Sequence, residues 1–290
     1  MSTISAIRTN RHMEISFGQL ASDLLASKPF DRGSVHAQKT DTPEMVTREL
    51  YHVSQYFDVP VHMGAWQSMI DPNLPWSEDH FQERISGEPL NPPPSEQYWP
   101  FAQQGNAAHK EGEKFSHTYP ERFYPKHAEQ VCEVKGRCTI EEHVFGRRGI
   151  RFTYGDLSDL IEILIKDPLS RQAYLPVWFP EDLTAAREGK RVPCTLGYHF
   201  MVDRENKLRT LYPMRSCDLV RFYRDDVYMA GRLAQHVADC IGVEPGEMTL
   251  MIANLHAFVG DGPFLAEAVN KAKSMGLGEK IVAYNLDALS

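Results

Sequence analysis

Val192-Pro193-Cys194-Thr195, Met214-Arg215-Ser216-Cys217-Asp218 and Arg224-Asp225-Asp226 are three short runs whose joint reading decides the fold. Between the first two lie Cys194-Thr-Leu-Gly-Tyr-His-Phe-Met-Val202 and Lys207-Leu-Arg-Thr-Leu-Tyr212, rich in aromatic and β-branched residues and separated by the polar connector Asp203-Arg204-Glu205-Asn206. That pattern predicts an antiparallel hairpin. A hairpin returns the chain toward Cys194, so Met214-Arg215-Ser216 would lie beside the thiol. A guanidinium and a hydroxyl there could hold a phosphate while a thiolate attacks nearby. The plainer alternative is a buried structural cysteine with a surface Arg-Ser pair.

Outward from this stretch, apolar residues at 227, 230, 233, 237 and 241 predict a helix from about Asp225 to Ile241, stopped by Gly242. Met248 to Asn254 reads as a strand delivering His256 and Phe258 at its end. Upstream, Ala173 to Trp178 reads as a strand, and Tyr154 to Lys166 as a helix ended by Pro168. Phe17, Leu20, Ala21, Leu24 and Leu25 fit one helix face. Asp41-Thr42-Pro43-Glu44 has the character of a helix start, which would carry Glu49 on a helix through Tyr51. Residues 72–114 read as a loop-rich cover or insertion, with Asn91-Pro92-Pro93-Pro94 inside it.

The chain has 290 residues and a net charge of −8, which suits one large domain over 1–290 with a substantial core. No Lys/Arg-rich run occurs, so a small anion is the expected partner and nucleic acid is not. The absence of a long apolar run or a signal-like start predicts a cytoplasmic protein with no membrane partner. Five cysteines, at 132, 138, 194, 217 and 240, make a poor disulfide framework, and Cys132 and Cys138 have no partners at metal-site spacing, so no metal is expected.

The order Pro193-Cys194, then Arg215-Ser216-Cys217-Asp218, then an acid or amide at position 226, then Leu255-His256-Ala257-Phe258, resembles the thymidylate synthase superfamily. The resemblance runs from roughly Glu49 to Phe258. It implies an α/β (α+β) fold, a mixed β-sheet packed with helices and paired sheet to sheet in a homodimer. Cys194 would be the nucleophile; Glu49, in Arg48-Glu49-Leu50, would run a proton network over the pyrimidine. Tyr119, in Phe115-Ser-His-Thr-Tyr119-Pro-Glu-Arg122, would lie near the nucleophile, although Pro120 stands where the family has glycine. Arg215, Ser216, Asp218, His256 and Phe258 would bind the nucleotide, with Arg32 in a phosphate-closing loop. Trp99 and Asp218 would meet the folate. Asp167-Pro168-Leu169-Ser170-Arg171-Gln172 resembles the segment that reaches across the dimer to the partner's phosphate, but Gln172 replaces a second arginine, leaving Arg171.

Position 226 is an asparagine in the synthases, where it reads a uracil edge. Asp226, with the wording Arg215-Ser216-x-Asp218 and Arg224-x-Asp226, is closer to the cytidylate 5-hydroxymethylases. A carboxyl group that keeps or shares a proton can accept from cytosine N4 and donate at N3, whereas a carboxylate would oppose uracil O4 acceptor to acceptor. Phe258 replaces a family tyrosine that donates to the sugar 3′-hydroxyl, which leans the substrate toward CMP, with dCMP also accepted. A ribonucleotide preference would resemble the CMP hydroxymethylases of mildiomycin-type nucleoside antibiotic biosynthesis. The end at Leu286-Asp-Ala-Leu-Ser290 lacks resemblance to the synthase tail that excludes water, so water capture is expected over methylation. The co-substrate implied is 5,10-methylenetetrahydrofolate. The alternatives are a phage-type dCMP hydroxymethylase, a cytidylate or deoxyuridylate C5-methyltransferase, and a pyrimidine-nucleotide or RNA-binding relative without activity.

Overall fold

The alternating stretch after Cys194 forms the hairpin that its pattern predicts, within a mixed seven-stranded sheet. The computed structural model describes residues 7–9, 13–31, 46–100, 110–125 and 155–275. Its strands are β1 (Ile7–Thr9), β2 (Thr47–Asp58), β3 (Lys110–Glu111), β4 (Lys114–Phe115), β5 (Tyr174–Pro176), β6 (Gly197–Val202), β7 (Lys207–Met214), β8 (Cys217–Asp218) and β9 (Glu244–Phe258). Its α-helices are α1 (Met13–Ala26), α2 (Met63–Ile70), α3 (Trp76–Ile85), α4 (Tyr119–Phe123), α5 (Leu157–Lys166), α6 (Asp182–Arg187), α7 (Tyr223–Ile241) and α8 (Gly262–Ser274).

The sheet runs β1-β2-β9-β7-β6-β5, with β8 paired to β9. β9 is its spine: β2 lies antiparallel on one side, while β7 and then β8 lie parallel on the other. Helix α7 packs on β7 and β9, and α1 packs on α8. Val227, Ala230, Leu233 and Val237 of the predicted stripe are buried on α7 and Ile241 is partly buried, and Gly242 ends the helix in the left-handed region at φ 73°. The core joins the buried faces of these helices to Leu208, Tyr212, Met248, Leu250 and Ile252 of the sheet.

Gly231 admits α2 to α7. A Cβ there would stand 2.2 Å from two atoms of the Trp66 indole, which is fully buried and donates through Nε1 to the Tyr228 carbonyl at 2.9 Å. Neither the ring nor the helix backbone can yield that much space. Gly231→Ala is therefore expected to lose about 3 kcal/mol, read as a lower urea midpoint.

Two expectations are corrected. Glu49 lies on β2, not on a helix: Thr47 to Asp58 pairs with β9 over nearly its whole length, and Val53, Gln55 and Phe57 point inward in strand alternation. Ladder hydrogen bonds and burial against a fifteen-residue strand outweigh the helix-start signal at Asp41-Thr42-Pro43-Glu44, which itself lies outside the described residues. Within 72–114, Trp76–Ile85 is a helix and Pro94–Tyr98 a 3-10 turn. Its buried residues Trp76, Ser77, His80, Phe81 and Arg84 follow helical spacing, but three of the five are polar or charged, so hydrophobicity alone hides the stripe. Arg32, Cys132, Cys138 and the final residues 276–290 lie outside the described residues.

Candidate active site

Three segments converge at the open end of β7. Thr195 bridges Met214, the Arg215 amide donates to the Cys194 carbonyl at 2.9 Å, and β8 continues beside β9 with Cys217 opposite Leu255 and Asp218 opposite His256. Pairing with β9 brings the 254–258 run beside 216–218, and the Ser216 Oγ lies 3.4 Å from His256 Nδ1. The hairpin return inferred from sequence thus places Arg215 against Cys194.

Arg215 is exposed and works as a fork. Its Nε donates to the Pro193 carbonyl at 2.8 Å and its Nη2 to the Val192 carbonyl at 2.9 Å, while Nη2 also reaches Cys194 Sγ at 3.8 Å. A guanidinium has five N–H groups, so its outer edge keeps donors for an anion. Burial pushes the Cys194 thiol up from its ordinary value; Arg215 and Arg191 oppose this, and Asp226 and Asp218 reinforce it. An anion resting on the arginines would leave the thiol still harder to ionise, so a substrate that accepts the nucleophile must approach closely.

Asp226 sits in the first turn of α7. The Cys217 thiol, 3.8 Å away, donates to its Oδ2. Burial pushes its carboxyl up to about 7, with neighbouring Asp225 adding and Arg84 opposing. It therefore exchanges its proton in the neutral range. Asp225 is held otherwise: it accepts from the Asn73 backbone and side-chain nitrogens at 2.8 and 2.7 Å and from Ser77 Oγ at 2.5 Å.

Tyr119, at the start of α4, joins a hydroxyl chain next to the thiol: its OH lies 3.1 Å from Thr195 Oγ1, which lies 3.0 Å from the Tyr212 OH. Burial raises the Tyr119 and Tyr212 phenols above their ordinary value, so both stay protonated donors. Tyr198 stacks on Tyr212 with ring centroids 4.6 Å apart, and burial pushes its phenol up to about 12. Arg84 lies over the other side of this group, its guanidinium carbon 4.0 Å from the Tyr119 ring centre. Thr195, Tyr212 and Arg84 were not anticipated from sequence. Thr195 is signalled by adjacency to Cys194, Tyr212 by sharing a strand face with Met214, and Arg84 only by the helical spacing of the α3 stripe.

The other expected residues divide. Glu49, 7% exposed, is tied into the sheet: Thr47 Oγ1, Tyr51 OH and Asn254 Nδ2 donate to it at 2.9, 2.7 and 2.9 Å, and it stands opposite His256. Asp218 is buried and accepts from the Val220 and Arg221 amides at 2.9 and 3.1 Å and from the Arg221 guanidinium at 3.1 Å. Arg221 also grips Asp261 and lies over the Phe258 ring at 4.9 Å. Trp99 stacks on Phe222, at 5.6 Å and 16°, just ahead of the helix that carries Asp226. Arg171 is exposed away from these residues, its carbonyl 3.0 Å from His199 Nε2. Among the described residues no cluster of His, Cys, Asp and Glu could hold a metal ion, and no helix is long and apolar enough to cross a membrane.

Comparison with known proteins matches this arrangement. A putative thymidylate synthase of Methanosarcina barkeri is 30% identical over 148 residues, covering 50% of this chain and 65% of that protein. One from Methanosarcina mazei is 31% identical over 123 residues, covering 41% and 54%. A thymidylate synthase of Rhodopseudomonas palustris is 25% identical over 119 residues, covering 41% and 39%. The chain thus aligns with less than two thirds of the length of these curated relatives. Among solved structures, the thermostable thymidylate synthase A from Bacillus subtilis has the same fold, with TM-score 0.61 at 16% identity over 91% of this chain and 84% of that one. The family model described as thymidylate synthase matches residues 115–276, which include Tyr119, Cys194, Arg215, Asp226 and His256, and the chain belongs to the thymidylate synthase family.

Proposed function

We propose that the chain is a cytidylate 5-hydroxymethylase, adding a one-carbon unit from 5,10-methylenetetrahydrofolate to C5 of CMP, with dCMP also accepted. The observation that carries this reading is Asp226, a carboxyl exchanging its proton near neutrality and acting electrostatically on the Cys194 thiol. The exposed edge of Arg215, with Ser216 beside it, suits a phosphate. The stacked Trp99 and Phe222 offer an aromatic face that fits a pterin. Bound folate would supply carbon at the oxidation level of formaldehyde. Arg171 is proposed to reach the phosphate of a second copy, and Arg32 to close over the same group.

The chain's own residues make C5 reactive. The Cys194 thiolate adds at C6; the C5=C6 pair moves toward C4 and the C4=N3 pair to nitrogen, which takes a proton from Asp226. C5 is then an enamine carbon. Tyr119, through Thr195 and Tyr212, keeps ordered donors beside the ring. C5 bonds to the one-carbon unit; loss of the C5 proton with departure of tetrahydrofolate from that carbon leaves an exocyclic methylene with sulfur still on C6. This methylene adds water, giving hydroxymethyl, or hydride, giving methyl, as the C5=C6 bond returns and the thiolate leaves. Methylation is the second reading, favoured by the printed names of the relatives.

Turnover with CMP, dCMP, UMP and dUMP plus methylenetetrahydrofolate, read by product mass, tests the proposal. Hydroxymethyl-CMP as main product supports it, while methylated product or deoxyuridylate turnover replaces it with the second reading. The sugar preference has its own test. Phe258 is 6% exposed and lies edge-on to His256, with ring centres 6.1 Å apart. Phe258→Tyr would restore a hydroxyl that holds the sugar through its 3′-hydroxyl and narrows the room for a 2′-hydroxyl, leaving that group without a partner in CMP, and should raise the dCMP/CMP ratio of kcat/KM by about five-fold. An unchanged ratio removes Phe258 from sugar selection.

A further inference from the structure

Among the described residues the buried arginines are paired, with one exception. Arg122, 9% exposed, meets Asp182 through two hydrogen bonds of 2.9 and 2.8 Å. The partly buried Arg221 and Arg232 are likewise forked onto carboxylates, Asp261 and Glu78. Arg84 is only 3% exposed, yet its Nε has no hydrogen-bond partner among the described residues and its guanidinium rests on the Tyr119 ring at 4.0 Å. An unpaired buried cation is costly by several kcal/mol, and folds rarely retain one without a use.

Its surroundings indicate the use. The groups that feel Arg84 are His80 on its own helix, Tyr119 on α4, Tyr198 on β6 and Asp226 on α7. Burial, reinforced by Arg84 and opposed by the Glu83 carboxylate 2.9 Å from Nδ1, pushes the His80 imidazole down to about 4, so it stays neutral. The two phenols remain protonated. Asp226 is then the one group of the four that can become a carboxylate near neutrality. From other directions Asp226 faces Asp225 on its own helix and the Cys217 thiol on β8, and its charge reaches Cys194 and Tyr212. None of these can neutralise it.

We propose that Arg84 is a positioning residue, the buried counter-cation held on the Tyr119 ring to neutralise the carboxylate that Asp226 becomes when it gives its proton to N3 of a cytosine ring. This rests on the cytidylate reading. As the Cys194 sulfur bonds to C6, the ring nitrogen gains the proton and Asp226 gains the charge; when the sulfur leaves, the proton returns. The guanidinium transfers nothing. Its hydrogen-bonding capacity stays unspent until the charge moves, which makes its contribution larger for the adduct than for the bound ground state.

The experiment uses Arg84→Met and Arg84→Lys in the full chain, with Asp226→Asn as control and thermal melting to establish folding. In the ligand-free protein, the infrared carbonyl band of a protonated carboxyl that Asp226→Asn removes is titrated against pH. Arg84→Met should move its midpoint upward by about one pH unit or more, the effect of losing a nearby opposite charge, while Arg84→Lys should stay close to the parent. Arg84→Met should also lower kcat for CMP about ten-fold or more with little change in KM, and Arg84→Lys should restore much of it. An unmoved midpoint in folded Arg84→Met overturns the counter-charge role. If Arg84→Met does not fold, Arg84→Gln is titrated in its place with the same two outcomes. A shifted midpoint in a protein to which CMP does not bind by calorimetry supports the Arg84–Asp226 coupling while refuting the cytidylate reading, so the two failures are separable.

Discussion

Cys194→Ser is expected to abolish turnover, by at least about 10³-fold, while CMP binding stays within a few-fold of the parent. A serine hydroxyl is far less acidic than a thiol, so it is much harder to ionise among the same charged neighbours, Arg215, Asp226, Arg191 and Asp218. Among the described residues the sulfur's one hydrogen-bonding contact is the 3.8 Å approach of Arg215 Nη2, and that guanidinium is held independently by the carbonyls of residues 192 and 193. Binding should therefore survive the exchange. Single-turnover mass spectrometry and calorimetry measure the two quantities. A substantially active serine enzyme would eliminate addition of the thiolate at C6.

Asp226→Asn should reverse base preference, raising the UMP/CMP ratio of kcat/KM by about 10²-fold. An amide can present a donor to O4 and an acceptor to N3–H, whereas a protonated carboxyl suits N4–H and N3; each mismatched buried polar pair costs about 1–3 kcal/mol. The same substitution has a pH signature. In the folded chain the carboxyl is pushed up to about 7 from an ordinary 3.8. Between those values the folded chain holds a proton that the unfolded chain has lost, so the contribution of Asp226 to stability is fully present below about 4 and is lost as pH rises through about 7. Asp226→Asn has no proton to lose. It should gain about 2–4 kcal/mol relative to the parent between pH 4 and pH 8, measured as the change in urea-unfolding free energy at the two pH values. A pH-independent difference would mean that Asp226 is ionised throughout, and an unchanged base ratio would remove it from base recognition.

These residues were legible because their signals are local. Cys194 and Arg215 flank a hairpin whose alternation is plain, so contact between them follows from strand pairing alone. The α7 stripe follows from the 3.6-residue period and the strand ahead of His256 and Phe258 from its apolar run, whereas the roles expected of Asp226, His256 and Phe258 came from the resemblance to the thymidylate synthase family. Glu49 was misplaced because its short segment carries a helix-start signal and its true partner, β9, lies some two hundred residues later; only the sheet reveals the Asn254 and His256 neighbours. Arg84 was invisible for a different reason. A charged residue in the last turn of a helix reads as solvated and favourable to the helix dipole, and only the helical spacing of a stripe that is mostly polar tells that it turns inward.

Arg215 holds the carbonyls of Val192 and Pro193 with its side chain and that of Cys194 with its own amide. Arginine and thiol are consequently one mechanical part: a pull on the guanidinium is transmitted to the backbone that aims the sulfur. A lysine at 215 would preserve the charge and still uncouple the two, because a single ammonium group lacks the planar fork that spans both carbonyls. Loss of the phosphate-binding role proposed for Arg215 would therefore loosen the thiol as well.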